Sequence, residues 1–194
     1  MSVLLIAGSP TAPSRSTALL DAAALRLQRR GLTVQRLVVR ELPAQALLHA
    51  DFGHAQVQEA IHSVAAAQAV IVATPVYKAA YSGLLKTFLD LLPQTAFKGK
   101  TVLPLATGGS PHHMLALDYA LRPVLGALGA GHILPGVYAS DAQVTLTPEG
   151  AYQLQVDIAD RLAEAVDTLQ AEAFPSAASS GFEPVHFSRV RCSV

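Results

Sequence analysis

The densest run of chemically useful side chains is residues 8–17, Gly8-Ser9-Pro10-Thr11-Ala12-Pro13-Ser14-Arg15-Ser16-Thr17. It carries hydroxyls on Ser9, Thr11, Ser14, Ser16 and Thr17 and one guanidinium on Arg15, and it runs into a segment of helical period. A helix N-terminus presents unpaired N–H groups and the positive end of the helix dipole, so it favours an anion. Arg15 adds a charge-assisted contact. The plainer alternative is that Ser14 or Ser16 only caps the helix, but a cap needs one hydroxyl, not a cluster with an arginine. No Gly-Lys-Ser/Thr follows, as a Walker A loop requires, and Gly-x-Gly-x-x-Gly is missing. The pattern therefore predicts a site for the phosphate of a mononucleotide.

Two further loops carry ligand-binding chemistry. Thr74-Pro75-Val76-Tyr77-Lys78-Ala79-Ala80-Tyr81-Ser82-Gly83 combines a backbone stiffened by Pro75 with the flat rings of Tyr77 and Tyr81. It suits a planar ring system; otherwise it is a turn with two half-exposed tyrosines. Thr107-Gly108-Gly109-Ser110 lets backbone approach a ligand closely and supplies N–H donors. The histidines give no metal site. His112 and His113 are adjacent and point different ways, and no carboxylate is spaced to complete a ligand set. Without a Gly-x-Ser-x-Gly elbow, Ser9 is not a hydrolase nucleophile.

The elements that would position these loops alternate along the chain. Continuous apolar runs at 3–7, 69–73 and 101–106, a β-branched run at 33–39 and a fifth at 133–138 read as strands. Helical period marks 16–30, with Leu19, Leu20, Ala23, Ala24 and Leu27 on one face, then 56–67, 84–92, 114–128 and 152–173. Residues 43–51 read as irregular. Five strands joined by helical crossovers predict an α/β fold: a flavodoxin-like three-layer sandwich with a parallel sheet in the order 2-1-3-4-5 and helices on both faces. Ligands of such sheets sit beyond the carboxyl ends of the strands, where these loops fall. Residues 1–173 are expected to form one domain, followed by a linker and C-terminal tail at 174–194.

Composition narrows the function. Lys plus Arg equals Asp plus Glu, 14 each, so there is no basic excess for nucleic acid. With 51% hydrophobic and 14% charged residues, a disordered chain is excluded. The single cysteine, Cys192, rules out a disulfide scaffold, a zinc ribbon and an iron–sulfur cluster. No apolar run is long enough to span a membrane, and the N-terminal one is too short for a signal peptide. A cytoplasmic protein is expected.

The segments Ala7-Gly8-Ser9-Pro10, Pro13-Ser14-Arg15-Ser16, Ala73 to Gly83 and Leu105-Ala106-Thr107-Gly108-Gly109 resemble the NAD(P)H-dependent FMN reductase family, and within it the SsuE-type reductases of alkanesulfonate utilisation. The likeness covers about residues 1–173 and includes all three loops in order. It implies that Ser9, Ser14, Arg15, Ser16 and Thr17 hold the FMN phosphate. Pro75, Val76, Tyr77 and Lys78 would contact the isoalloxazine, joined by Thr107, Gly108, Gly109 and Ser110. Hydride would pass from NADPH (NADH being possible) to FMN with no catalytic side chain, because the cofactors carry the chemistry. The reduced flavin would then leave for a flavin-dependent monooxygenase. Many members have arginine after Gly-Ser-Pro, where this chain has Thr11, leaving Arg15 as the nearby cation. The stretch after Tyr138 diverges, which leaves the role of Asp141 open. Lys78, Lys86 and Arg122 are candidates to meet an NADPH 2′-phosphate.

Pro123 lies inside the 114–128 segment. It removes an N–H and crowds the carbonyl of Tyr119. Either the helix distorts there, with a π-bulge at Tyr119, or Pro123 begins a new helix. The resemblance implies that Tyr119 is an inserted tyrosine at the subunit interface of a homo-oligomer, dimer or tetramer. Two alternatives remain: a quinone or azo reductase with tightly bound FMN, and a flavodoxin-type electron carrier.

Overall fold

The structure is a computed structural model and describes residues 2–175. Apart from Phe174 and Pro175, the expected linker and tail, with Cys192, lie outside the described residues. The strands are β1 (Ser2–Ala7), β2 (Thr33–Val38), β3 (Ala69–Tyr77), β4 (Ala80–Tyr81), β5 (Thr101–Gly108), β6 (His132–Ile133), β7 (Val137–Ser140), β8 (Val144–Leu146) and β9 (Tyr152–Leu154). The α-helices are α1 (Arg15–Arg29), α2 (Ala44–Leu48), α3 (Ala55–Ala66), α4 (Gly83–Leu89), α5 (Arg122–Ala127) and α6 (Val156–Ala173).

The main sheet runs β2-β1-β3-β5-β6, with β7 also pairing with β5, and all these pairings are parallel. This is a flavodoxin-like sheet with its fifth strand broken in two. The break falls at Leu134-Pro135-Gly136. Pro135 has no N–H for a ladder, and the Arg122 guanidinium takes the carbonyls of Ile133 and Leu134 at 2.9 and 3.0 Å. Arg122 is therefore committed to closing the strand break, and its Nε also reaches Asp118 at 3.1 Å.

Successive side chains of a strand point to opposite faces, and both faces here are buried. Leu4 and Ile6 of β1, with Val70 and Val72 of β3, pack with Val57, Val64, Leu85 and Phe88 from α3 and α4. Val3, Leu5, Ile71, Leu103 and Leu105 pack against Leu19, Leu20 and Leu27 of α1 and Ile158, Leu162 and Val166 of α6. Every side chain of β5 is buried, which explains why its sequence is continuously apolar and does not alternate.

Five expectations are corrected. β3 does not end at Thr74-Pro75. It continues to Tyr77 and turns back antiparallel into β4, through Lys78 and Ala79, which both adopt positive φ (50° and 65°). The final helix begins at Val156, not 152. Tyr152 and Leu154 belong to β9, which pairs with β8 around a turn where Thr147 N–H reaches the Ala151 carbonyl at 2.7 Å. Part of the irregular 43–51 segment is α2. The helix expected over 84–92 stops at Leu89. The 114–128 segment is three pieces: a 3-10 turn at Pro111–Met114, a π-helix at Leu117–Leu121 and then α5, where Pro123 occupies the first turn and needs no helical hydrogen bond. The helix therefore distorts at Tyr119 and does not break at Pro123, since α5 starts at Arg122 and Leu121 before it is itself helical.

Candidate functional site

The loops that follow β1, β3, β5 and β7 meet at the carboxyl ends of those strands and enclose an open cleft of about 240 Å³. The loop after β1 is tied to the segment around β3 and β4 at several points. Gly8 N–H donates to the Ala73 carbonyl at 2.8 Å. The Ser82 hydroxyl donates to the Gly8 carbonyl at 2.5 Å and accepts from Leu85 N–H at 3.1 Å, so one buried side chain caps α4 and fixes loop 1. Thr74 Oγ1 accepts from Ser82 N–H at 3.0 Å. A Cβ on Gly8 would stand 2.9 Å from Leu85 Cβ and 3.1 Å from the Ala73 carbonyl, which is why this position is glycine.

The start of α1 leaves its donors unpaired. Ser14 is the N-cap residue, yet its side chain caps nothing; its Oγ lies 3.0 Å from Ser16 Oγ. Ala18 N–H is bonded to the Ser14 carbonyl at 3.0 Å, so the amides of the preceding turn have no intrahelical partner. The first turn holds no acidic residue. Thr17 Oγ1 is buried without a hydrogen-bond partner among the described residues. Ser9 is buried, and its hydroxyl closes the loop, accepting from Thr11 N–H at 3.3 Å and donating to the Thr11 carbonyl at 3.2 Å. Arg15 is steered by its Nε, which donates to the Val144 carbonyl at 3.0 Å. Its Nη1 lies 3.8 Å from Asp141.

The opposite wall comes from β5 and β7. Gly108 has no room for a side chain: a Cβ there would meet the Tyr138 hydroxyl at 2.7 Å and Val76 Cβ at 3.3 Å. Tyr138 passes beneath the glycine pair and donates to the Ser110 carbonyl at 2.5 Å. Burial first, and the Asp141 carboxylate second, push its phenol above the ordinary value, so it remains a donor. His113 Nδ1 is buried beside Gly108 with no partner among the described residues.

The sequence model of the family described as NADPH-dependent FMN reductase matches residues 1–145. The chain belongs to that family. Among its relatives, an FMN reductase (NADPH) of Pseudomonas putida strain KT2440 is 50% identical over 170 residues, covering 87% of this chain and 86% of that protein. An NADH-dependent FMN reductase, SfnF, of Pseudomonas putida is 38% identical over 143 residues, covering 71% of this chain and 76% of that one. The crystal structure of an NADH:FMN oxidoreductase (EMOB) in its apo form superposes with a TM-score of 0.81 at 39% identity, covering 91% of each chain.

For an FMN reductase the chain's own residues fit the ligand: uncapped amides and an orphaned hydroxyl at α1, and a glycine floor where a Cβ would be blocked. Of the residues expected from sequence, Ser9, Ser14, Arg15, Pro75, Val76, Tyr77, Thr107, Gly108 and Gly109 line the cleft together. Ser16, Thr17, Lys78 and Ser110 are not among the lining residues. Ser16 is buried behind Ser14, Lys78 is exposed at the β3–β4 turn, and Ser110 caps the following 3-10 turn. Thr11 and Pro13, inside the expected phosphate loop but given no contact of their own, also line the cleft, as do Asp141, whose role the sequence left open, and Tyr152, which was not expected there. Asp141 directly follows a strand end, the place where α/β sheets put ligand contacts, and that position was its available signal. Tyr152 carried none, because its place depends on the β8–β9 hairpin. Lys86 is held by Asp90 at 2.6 Å on α4. Among the described residues no cluster could hold a metal ion, and no helix is long and apolar enough to cross a membrane.

Proposed function

We propose that residues 1–173 form an NAD(P)H-dependent FMN reductase that releases reduced flavin to a flavin-dependent monooxygenase of the alkanesulfonate type. The observation that carries this reading is the convergence of an uncapped, acid-free helix start with the Tyr77 and Gly108-Gly109 walls around one open cleft. Relatives named as FMN reductases support it. When bound, FMN supplies the redox chemistry, taking hydride from reduced nicotinamide.

The chain's residues bind and orient. The first-turn amides of α1 hold the phosphate with the Ser9 and Ser14 hydroxyls, Ser16 supports Ser14 from behind, the unpartnered Thr17 hydroxyl turns to the anion when it binds, and Arg15 adds its charge. Pro75, Val76 and Tyr77 form the wall against the ring system. The amides around Gly108 and Gly109 donate toward its polar edge, preorganised by Tyr138 beneath them. Lys78, at the exposed turn, is the free candidate for an NADPH 2′-phosphate, since Lys86 and Arg122 are engaged elsewhere. NADH use stays open to the same site. Tyr119, 79% exposed at the centre of the π-helix and preceded by exposed Met114 and Leu115, stacks across a homo-oligomer interface. We place the reaction in the cytoplasm, where reduced nicotinamide is available.

Anaerobic reduction with NADPH followed by gel filtration tests the reading. Reduced flavin separating from protein supports it. Flavin that stays with the protein and passes its electrons to a quinone or azo dye overturns it in favour of a reductase with fixed FMN. Absence of NAD(P)H oxidation with FMN present overturns it in favour of an electron carrier.

A further inference from the structure

The charges around the cleft are unusually few. Among its described lining residues only Arg15 and Asp141 are charged, one of each sign. They are brought together by one piece of backbone. Asp141 opens the 3-10 turn Asp141–Gln143, fastened by Gln143 Oε1, which accepts from Ser140 N–H at 3.0 Å. The next residue, Val144, gives its carbonyl to Arg15 Nε at 3.0 Å. The same turn that aims the guanidinium therefore sets a carboxylate beside it, at 3.8 Å, with both side chains partly open to solvent. Asp141 Oδ2 also lies 3.8 Å from where a Gly109 Cβ would be, on the wall opposite α1. The contact is too long and too exposed to serve stability, since such pairs are worth little. Both charges line the cleft onto which the start of α1 opens, and Thr11 supplies no second cation to offset the carboxylate.

We propose that Asp141 is an affinity-setting residue: its carboxylate offsets Arg15 and repels the flavin phosphate, so FMN is held by hydroxyls and amides loosely enough to exchange after reduction. This rests on the FMN reductase reading above. Removing the carboxylate charge frees Arg15 for the phosphate and removes a like-charge neighbour. Riboflavin, which has the same ring system and no phosphate, does not sense either change.

The test is fluorescence titration of the full chain with FMN and with riboflavin, for the unmodified protein, Asp141→Asn and Asp141→Ser, together with stopped-flow dissociation of FMN. The two replacements differ in size and hydrogen bonding, so agreement between them isolates the charge. Both variants are expected to bind FMN about threefold to tenfold more tightly, mostly through slower dissociation, with riboflavin affinity unchanged. The gain shrinks as salt rises, because the charges are solvent-accessible. Unchanged FMN affinity, or equal tightening of FMN and riboflavin, overturns the role of Asp141 while leaving the FMN reductase reading intact. Failure of the unmodified protein to bind FMN at all overturns both.

Discussion

Replacing Gly108 with alanine tests how the glycine floor is made. The new Cβ would stand 2.7 Å from the Tyr138 hydroxyl, where ordinary contact begins at 3.4 Å, and Val76 Cβ at 3.3 Å blocks escape on another side. The phenol is not a free end that can swing away, because it is hydrogen-bonded to the Ser110 carbonyl at 2.5 Å. Relief requires breaking that bond or moving the loop. Overpacking costs about 1–3 kcal/mol and the lost hydrogen bond about 1 kcal/mol, so Gly108→Ala should destabilise by about 2–4 kcal/mol. Tyr138→Phe removes the clashing oxygen and should cost only about 1 kcal/mol. In the Tyr138→Phe background the alanine should then cost only about 1 kcal/mol, from the remaining Val76 contact, giving a coupling of about 1–3 kcal/mol between the two sites. Urea denaturation of the four proteins measures the cycle, and FMN titration should show weaker binding for Gly108→Ala. A Gly108→Ala protein within about 0.5 kcal/mol of the parent, or strict additivity in the double variant, would refute the packing argument.

Ser82→Ala should cost about 1–3 kcal/mol in urea denaturation, because it removes a helix cap and strips a buried carbonyl, that of Gly8, of its donor. Thr17→Val should leave stability nearly unchanged, since its buried hydroxyl has no protein partner among the described residues, while weakening FMN but not riboflavin binding in fluorescence titration. Asp167 accepts from Arg26 and also pairs with Arg30, and these guanidiniums hold its carboxyl down to about 2 against an ordinary 3.8. A depressed folded-state pKa stabilises above the unfolded value and loses that contribution as pH falls through the folded one. The stability gap between the parent and Asp167→Asn should therefore be full above pH 3.8 and close toward pH about 2, as read by thermal melts across that range. Tyr119→Ala should change oligomer size and flavin affinity together; unchanged values of both in analytical ultracentrifugation and FMN titration would remove the interface role.

Much of the fold was legible because burial on both faces of the sheet writes itself as uninterrupted apolar runs, seen in β1, β3 and β5. The α1 stripe of Leu19, Leu20, Ala23 and Leu27 was equally direct, since each of these side chains is buried. The misreadings have local physical causes. Leu154, Ile158 and Leu162 share a helical period, so β9 read as the start of α6; only the hairpin pairing of Val144 with Leu154 separates them. The β3–β4 turn uses Lys78 and Ala79 in left-handed conformations usually marked by glycine or asparagine, so no turn signal was visible. The break in the fifth strand had a signal in Pro135, which the apolar run around it outweighed, while the Arg122 guanidinium that takes the carbonyls before it comes from another element. At the site, short-range signals located the three loops, whereas the facing of Asp141 to Arg15 arises from a contact across the fold between Arg15 and Val144, beyond the reach of spacing rules.

The most direct measurement is steady-state NAD(P)H oxidation by the purified chain with free FMN, FAD and a quinone offered as competing acceptors. An FMN reductase with an exchangeable flavin should oxidise NAD(P)H in proportion to added free FMN, saturably, and prefer it over the quinone. Efficient quinone reduction with no dependence on added FMN would contradict it.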